Sequence, residues 1–415
     1  MKKFEDIKED KSWTFKDLGR KDTSYASHGY HRYPAKFIPQ IARKCILENS
    51  NEGDLVVDPF CGCGTTIVES LIYGRKGIGI DINPVAVLIS KAKITPIEPD
   101  KLNKAKEKLF SLIENMEEIK DREFNERIIY WFPNKQTRLT LFKILKDIKS
   151  LKEQELINFF LCGLSQILKN CSIWLAKSNK PTRDFNKKQQ DPIKIFKRQI
   201  NSMIKGNLEL YNLTHRKLIK DNKIFLGDAR KIPTEDNSVK LIVTSPPYVT
   251  SYEYADLHQL TALWFGYINK LNDFRKGFIG SVHKQDIDHN GIKSKLAIKI
   301  IEDLSKKSKK EALGTKNYFL EMQECFQEMR RILKPNGRAC IVIGNTKLRG
   351  VEILNAEIFV EIMNNLGFRT YKIIKREVPS KNLPQTRDSK TGRFTTKEDA
   401  DRLSYKYEFI IIMEK

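Results

Sequence analysis

The sequence predicts an α/β protein: a doubly wound, mostly parallel sheet interrupted by a helical insertion. Three observations predict it. A short apolar strand, a Gly-rich loop, a helix and a second strand ending on an acid follow one another between residues 55 and 93. Apolar strands resume only after Asn222, and the stretch between has helical periodicity and few strand signals. The opening strand–loop–helix–strand run is how a Rossmann-like sheet begins, with ligands expected beyond the carboxyl ends of its strands.

Residues 1–27 are polar and read as a poorly ordered N-terminal arm. From His28 the pattern changes to His-Gly-Tyr-His-Arg-Tyr-Pro-Ala-Lys-Phe-Ile-Pro, and Ile38, Ile41, Ala42, Cys45 and Ile46 have helical spacing. Leu55–Asp58 is a buried strand, Pro59–Gly64 a tight loop and Thr65 the start of a helix. Gly77–Asp81 is the second strand, and Asn83-Pro84 opens a helix reaching about Lys93. These elements make residues 28–99 the first part of the sheet domain. Residues 100–220 form the insertion, and 221–415 complete the sheet. There Lys223–Leu226, Val239–Val243, Arg338–Gly344, Arg369–Arg376 and Tyr405–Met413 read as strands. Residues 268–315 read as a long polar loop with short helices, Tyr318–Leu333 as an amphipathic helix, Lys334–Gly337 as a turn and 353–366 as a helix.

Composition narrows the partners. The chain has 415 residues, 75 Lys and Arg against 52 Asp and Glu, and a net charge of +23. Such an excess suits a polyanionic partner such as nucleic acid, although a solvated basic surface has the same composition. Residues 101–225 carry 27 Lys and Arg against 14 Asp and Glu, more than half of the net charge in under a third of the length. Between Lys169 and Lys223 basic residues interleave with Trp174, Phe185, Phe196 and Tyr211. Lys187, Lys188, Lys197 and Arg198 are therefore candidate DNA-phosphate contacts. Segments 268–315 and 380–400 are rivals for that role. The seven cysteines include no Cys-x-x-Cys pair, so no metal site is expected and a reducing, cytoplasmic setting is. His28, His31 and His258 are not spaced as ligands and read as structural. No secretory leader is visible. The longest apolar stretch, Leu156–Leu168, is too short to span a membrane and is not expected to meet one.

Two motifs carry chemistry. In the first, Asp58-Pro59-Phe60-Cys61-Gly62-Cys63-Gly64 leads into Thr65 and Thr66, and Asp81 ends the next strand. Glycines let a backbone approach a cofactor, and an acid at that place can accept hydrogen bonds from both hydroxyls of a ribose. The pattern is not Gly-x-Gly-x-x-Gly, so an adenosyl group without a pyrophosphate is favoured. In the second, Thr244-Ser245-Pro246-Pro247-Tyr248 follows a buried strand of the same sheet. Two prolines fix the backbone and donate nothing. Acceptors on Ser245 and on the Pro246 carbonyl could take both N–H bonds of an exocyclic amine, freeing its lone pair for methyl transfer. Tyr248 could stack on an extruded base. Each motif read alone is also compatible with a tight turn.

Together the motifs resemble the amino-group DNA methyltransferases, over residues 28–95 and 220–350. Several implications follow from the resemblance. S-adenosyl-L-methionine is the cofactor. Tyr33, Pro34, Lys36 and Phe37 close over its methionine part; Asp58–Cys61, Gly62, Gly64, Thr65, Thr66, Asp81 and Ile82 hold its ribose side; Asp228 and Ala229 lie near its adenine. Ser245, Pro246, Pro247 and Tyr248 form the catalytic motif, whose Ser-Pro-Pro-Tyr form is most similar to the cytosine-N4 branch. The substrate is double-stranded DNA with a flipped base, in a restriction–modification or related host-DNA-marking system with a cognate restriction endonuclease. The motif order is unpermuted, unlike that of the best-known cytosine-N4 enzymes. An adenine-N6 enzyme, an RNA amino-methyltransferase and a non-catalytic nucleic-acid-binding protein remain alternative readings. Cytosine-C5 chemistry is rejected, because it needs a nucleophilic Cys, usually after Pro, and the sequence has no Pro-Cys.

Overall fold

Alternation within the apolar strands decides how the chain folds. Val56, Leu241, Val243, Cys340, Val342, Ile410 and Ile412 share one buried cluster. Their neighbours Val57, Ile242, Ile341 and Ile411 share another. Successive strand residues point to opposite faces, so both faces of this sheet are covered. The computed structural model describes residues 4–34, 36–115, 122–178, 181–214, 220–249, 254–280, 291–379, 386–387, 394–395 and 406–415.

Seven strands make the sheet: β1 (Leu55–Asp58), β2 (Lys76–Asp81), β3 (Lys223–Leu226), β4 (Val239–Thr244), β5 (Leu333–Ile343), β6 (Arg369–Glu377) and β7 (Tyr407–Glu414). Their order is β3-β2-β1-β4-β5-β7-β6. All neighbours are parallel except β7, which runs antiparallel between β5 and β6. The chain starts at the centre, winds outward to β3 and returns beside β1 as β4. The adjoining carboxyl ends of β1 and β4 are thus the switch point, where ligands of such sheets bind.

Helices α1 (Pro39–Asn49), α2 (Thr65–Ile72) and α3 (Pro84–Ile94) belong to the first half. Asn83 caps α3 by accepting from the Val85 N–H at 2.9 Å, with Pro84 in the first turn. The chain then leaves the sheet for α4 (Pro99–Glu114), α5 (Glu126–Trp131), α6 (Lys135–Lys149), α7 (Gln154–Cys171) and α8 (Pro192–Leu213). Their apolar faces share one core with α3 and α9 (Tyr254–Trp264). The Asn207 side chain brackets the Ile97 backbone at 2.9 and 2.7 Å, fixing α8 where the insertion departs. After α9 come α10 (Leu271–Lys276), α11 (Lys295–Ser305), α12 (Lys309–Ile332) and α13 (Asn355–Asn365).

Several expectations are corrected. Residues 4–27 do not form a loose arm. Phe4 packs on Phe409 with ring centroids 5.5 Å apart, Trp13 is fully buried, and the Trp13 carbonyl accepts from Arg376 Nε at 2.8 Å. Isolated aromatic anchors in a polar stretch leave no periodic signal. Helix α12 begins nine residues before Tyr318, because Ser308 caps it. The expected turn at Lys334–Gly337 lies within β5 as a slip of register: Leu333 faces Val239, Arg338 faces Leu241, and Asn336 takes φ 60°. Tyr405 of the last expected strand lies outside the described residues.

Candidate active site

Three strand ends converge. The loop after β1 turns at Gly62 (φ 51°) and enters α2 at Gly64 (φ 81°), a left-handed backbone that glycine adopts without strain. A Cβ on Gly62 would come 3.3 Å from the Tyr33 ring, so that close approach also needs glycine. Two hydrogen bonds stitch this loop to β4: Thr244 Oγ1 donates to Asp58 at 2.6 Å, and Thr66 Oγ1 donates to the Val243 carbonyl at 3.1 Å.

A cleft opens at this edge. Of the residues singled out in the sequence, Tyr33, Lys36, Phe37, Pro59, Phe60, Cys61, Gly62, Thr65, Asp81, Ile82, Asp228, Ala229, Ser245, Pro247 and Tyr248 line it. Pro34, Asp58, Gly64, Thr66 and Pro246 are not on its wall. Asp58 is buried and acts as a tie between loop and strand. Burial pushes its carboxyl up to about 6, against the hydrogen bonds from Thr244 and the Phe60 N–H.

The wall also includes Cys63 of the Gly loop and Gly227 beside Asp228; sequence reasoning missed Val249, Tyr254 and the turn Gly277–Gly280, which line it too. The turn lies in the segment read as a polar loop, where Phe278-Ile279 between glycines was the available signal. Arg230 links the Asp228 side of the cleft to Glu321 of α12 at 2.9 Å, and Glu321 also accepts the Gly280 N–H at 2.8 Å.

Asp81 fits the expected ribose acceptor. Its two oxygens accept the N–H groups of Gly62 (2.7 Å) and Asn83 (2.9 Å), which fix the carboxylate and leave further lone pairs for the cleft. Burial raises it to about 6, against those two bonds. Lys36 supplies a cation on the wall. Its Nζ donates to the His28 carbonyl at 3.1 Å, and burial, then repulsion from Lys93, lowers it to about 8. A carboxylate bound there would offset this shift by favouring the charged ammonium. A ribose acceptor, a cation for a carboxylate and an apolar wall of Phe60, Ile82 and Ala229 together fit S-adenosylmethionine.

The Ser-Pro-Pro-Tyr segment is pinned on three sides. Ser245 Oγ donates to the Val342 carbonyl of β5 at 3.0 Å, so what its oxygen has left to offer is acceptor lone pairs. Tyr318 of α12 donates to the Pro247 carbonyl at 2.6 Å. Tyr248 makes a long contact from its hydroxyl to Glu408 of β7 (3.4 Å), and Glu408 in turn receives Arg376 Nη1 at 2.8 Å. Burial holds the Tyr248 phenol well above its ordinary range, so it stays protonated. Tyr318→Phe removes a donor from a partly buried carbonyl. We expect it to destabilise the fold by about 1–2 kcal/mol and to lower kcat several-fold with cofactor affinity unchanged. Chemical denaturation, single-turnover methylation and calorimetry check this. Unchanged kcat would restrict Tyr318 to stability.

The candidate phosphate contacts divide. Lys187 Nζ donates to the carbonyls of Lys169 (2.6 Å) and Trp174 (2.7 Å), and Lys197 pairs with Glu114. Both lysines are committed within the protein. Lys188 and Arg198 are exposed, and Arg198 reaches Gln190 at 3.3 Å. Residues 281–290 and most of 380–400, within the rival segments, lie outside the described residues. His28 pairs with Glu69 (2.7 Å), His31 with Ser165 (2.9 Å) and His258 with Asn83 (2.7 Å). Among the described residues no three His, Cys, Asp or Glu side chains converge as a metal site, and no helix is long and apolar enough to cross a membrane.

A nucleoside-sized cofactor at the switch point, with oxygen acceptors for an amine beside it, is what an amino-group methyltransferase requires. Comparison with known proteins is more specific. The pattern of the DNA methylase family, the N6/N4 amino-methyltransferases, matches residues 2–92 and 239–415, and the chain belongs to that family. It is an S-adenosylmethionine-dependent DNA methyltransferase. Type II methyltransferase M.MvaI of Kocuria varians is 27% identical over 408 residues, covering 90% of this chain and 88% of its own. Type II methyltransferase M.BsoBI of Geobacillus stearothermophilus is 23% identical over 408 residues, 83% of this chain and 79% of its own. The DNA adenine methyltransferase YhdJ of Escherichia coli K12 is 41% identical over 59 residues, 14% of this chain and 20% of its own.

Proposed function

We propose that the enzyme methylates the N4 amino group of cytosine in double-stranded DNA. The observation that carries this is Ser245: a neutral hydroxyl at the first position of the motif, with its proton turned onto Val342. One amine N–H is accepted by Ser245 Oγ. The other goes to a main-chain carbonyl of the motif. We assign that second bond to the Pro246 carbonyl, next to the Pro247 carbonyl that Tyr318 holds. Two acceptors draw the nitrogen toward a tetrahedral shape and release its lone pair, and they act most strongly in the transition state. S-adenosylmethionine, when bound, supplies an electrophilic methyl group on a sulfonium centre. Asp81 holds its ribose, Lys36 its carboxylate, and Phe60, Ile82 and Ala229 its adenine. Tyr248 offers its ring to the flipped base, a stacking contact of about 1–3 kcal/mol.

A second reading, adenine N6, is supported by the stretch shared with YhdJ. We also assign the enzyme to a restriction–modification setting with a cognate endonuclease; the type II designation of both long relatives supports it. Mass spectrometry of nucleosides from DNA methylated by the purified protein tests the base. We expect N4-methylcytosine. N6-methyladenine would defeat the reading of the serine, and product confined to RNA would defeat the substrate.

A further inference from the structure

The helical insertion displays one group that its own packing does not explain. Residues 173–175 and 182–184 run as a short antiparallel pair: Trp174 bridges Arg183, and Leu175 N–H donates to the Thr182 carbonyl at 2.9 Å. The pair is seated on α5 by Trp174, whose ring stacks on Trp131 at 4.9 Å. This geometry clamps the Arg183 guanidinium between two rings, 4.1 Å from the Tyr130 centroid and 4.3 Å from that of Phe185. Phe185 is 71% exposed and Tyr130 46%. A Phe so exposed gains little from folding, and clamping a guanidinium restricts its rotamers. Both make sense if the planar fork is being held ready for something outside the protein.

Two paths lead from the cleft to this clamp. Helix α9 starts with Tyr254 on the cleft wall. Five residues on, about 8 Å along the helix, Gln259 accepts from Trp131 Nε1 and Arg127 Nε, both at 3.0 Å. From the other side, Tyr33 on the wall is preceded by exposed Arg32, whose charge acts on Lys169; Lys169 in turn lies over the Trp174 ring at 5.6 Å. The clamp is therefore tied to the cleft wall through two chains of packed groups.

We propose that Arg183, held between Tyr130 and Phe185, reads a guanine edge in the major groove close to the methylated base. A guanidinium fork matches guanine O6 and N7, and rings on both sides fix its plane before DNA arrives. A lysine cannot reproduce that bidentate contact. The proposal rests on DNA as substrate and is independent of which base is methylated.

The test is base-resolution mapping of methylated sites made by wild type, Arg183→Ala, Arg183→Lys and Phe185→Ala. It is paired with the salt dependence of binding to non-specific duplex and with cofactor affinity. At one guanine of the recognition sequence, both Arg183 variants should lose about ten- to a hundredfold in discrimination. Phe185→Ala should lose part of it. Cofactor affinity and salt slope should hold in all three. Arg183→Lys keeps a cation over the rings and guards against misfolding. An unaltered site with a salt slope lowered by about 0.9 would make Arg183 a phosphate contact and overturn the proposal. So would no change in either. Wild-type methylation of adenine would defeat the cytosine reading alone, because relaxation is scored around whichever base is modified.

Discussion

Ser245→Ala is expected to lower kcat by about a hundredfold while S-adenosylmethionine affinity stays within about twofold of wild type. In the proposed reaction Ser245 serves the amine and Asp81 the cofactor, so the two effects separate. In the wild type the Ser245 proton is held by the Val342 carbonyl, so the oxygen accepts without reorienting. Alanine removes the acceptor and also the bond to the Val342 carbonyl. A modest loss of stability, about 1 kcal/mol, should accompany the kinetic defect. Single-turnover methylation with calorimetry of cofactor binding separates the terms. A variant with normal turnover would show that the amine is oriented by other groups. Ser245→Asp is the informative companion: a carboxylate also accepts, so it should retain more activity than alanine.

Asp81→Ala is expected to weaken cofactor binding by more than a hundredfold, since each charge-assisted bond to a hydroxyl contributes roughly 1.5–3 kcal/mol. Alanine also releases the Gly62 and Asn83 N–H groups, so Asp81→Asn, which retains one acceptor oxygen, should lie between. The sign of the pH effect follows from burial. The free protein holds Asp81 at about 6, above its unfolded value. Ribose hydroxyls favour the charged form. Wild-type affinity should therefore be flat above pH 7 and fall as pH drops through about 6, and the asparagine variant should lose that limb. Stability runs the other way. A raised folded pKa means that ionisation opposes folding above about pH 6, and this cost is relieved as pH falls toward the unfolded value. Asp81→Asn should then be no less stable at neutral pH. A pH-independent wild-type affinity would remove Asp81 from the binding site.

The sheet and the cleft wall were legible because both are local in sequence. A strand, its loop and its acid lie within 27 residues, and alternation exposes buried strands directly. Asp81, Ser245 and Tyr248 were found that way. What escaped depends on distant partners. Phe4 and Trp13 look like stray aromatics in a polar run until β6 and β7 meet them. Tyr318 reads as one apolar position of an amphipathic helix, and only the fold aims its hydroxyl at Pro247. Lys187 and Lys197 were chosen from local basic density, which cannot show that one caps two carbonyls and the other serves Glu114. Asp58 was placed on the cofactor by its position in the loop. Its burial and its bond to Thr244, which join the two motifs, could not be read from that position.

The placement of β7 bears on when a newly made molecule can work. Strand β6 has no partner in the sheet until β7 slots between it and β5. Tyr248 meets Glu408 across 160 residues of chain. At ribosomal speeds of about 5–20 residues per second, roughly 8–30 s separate synthesis of Tyr248 from that of Glu408. Strands β1, β2 and β4 and the loops that cradle the cofactor are already made by then. A nascent chain thus holds every cleft-lining residue, the last of them Gly280, well before the strand that completes the sheet.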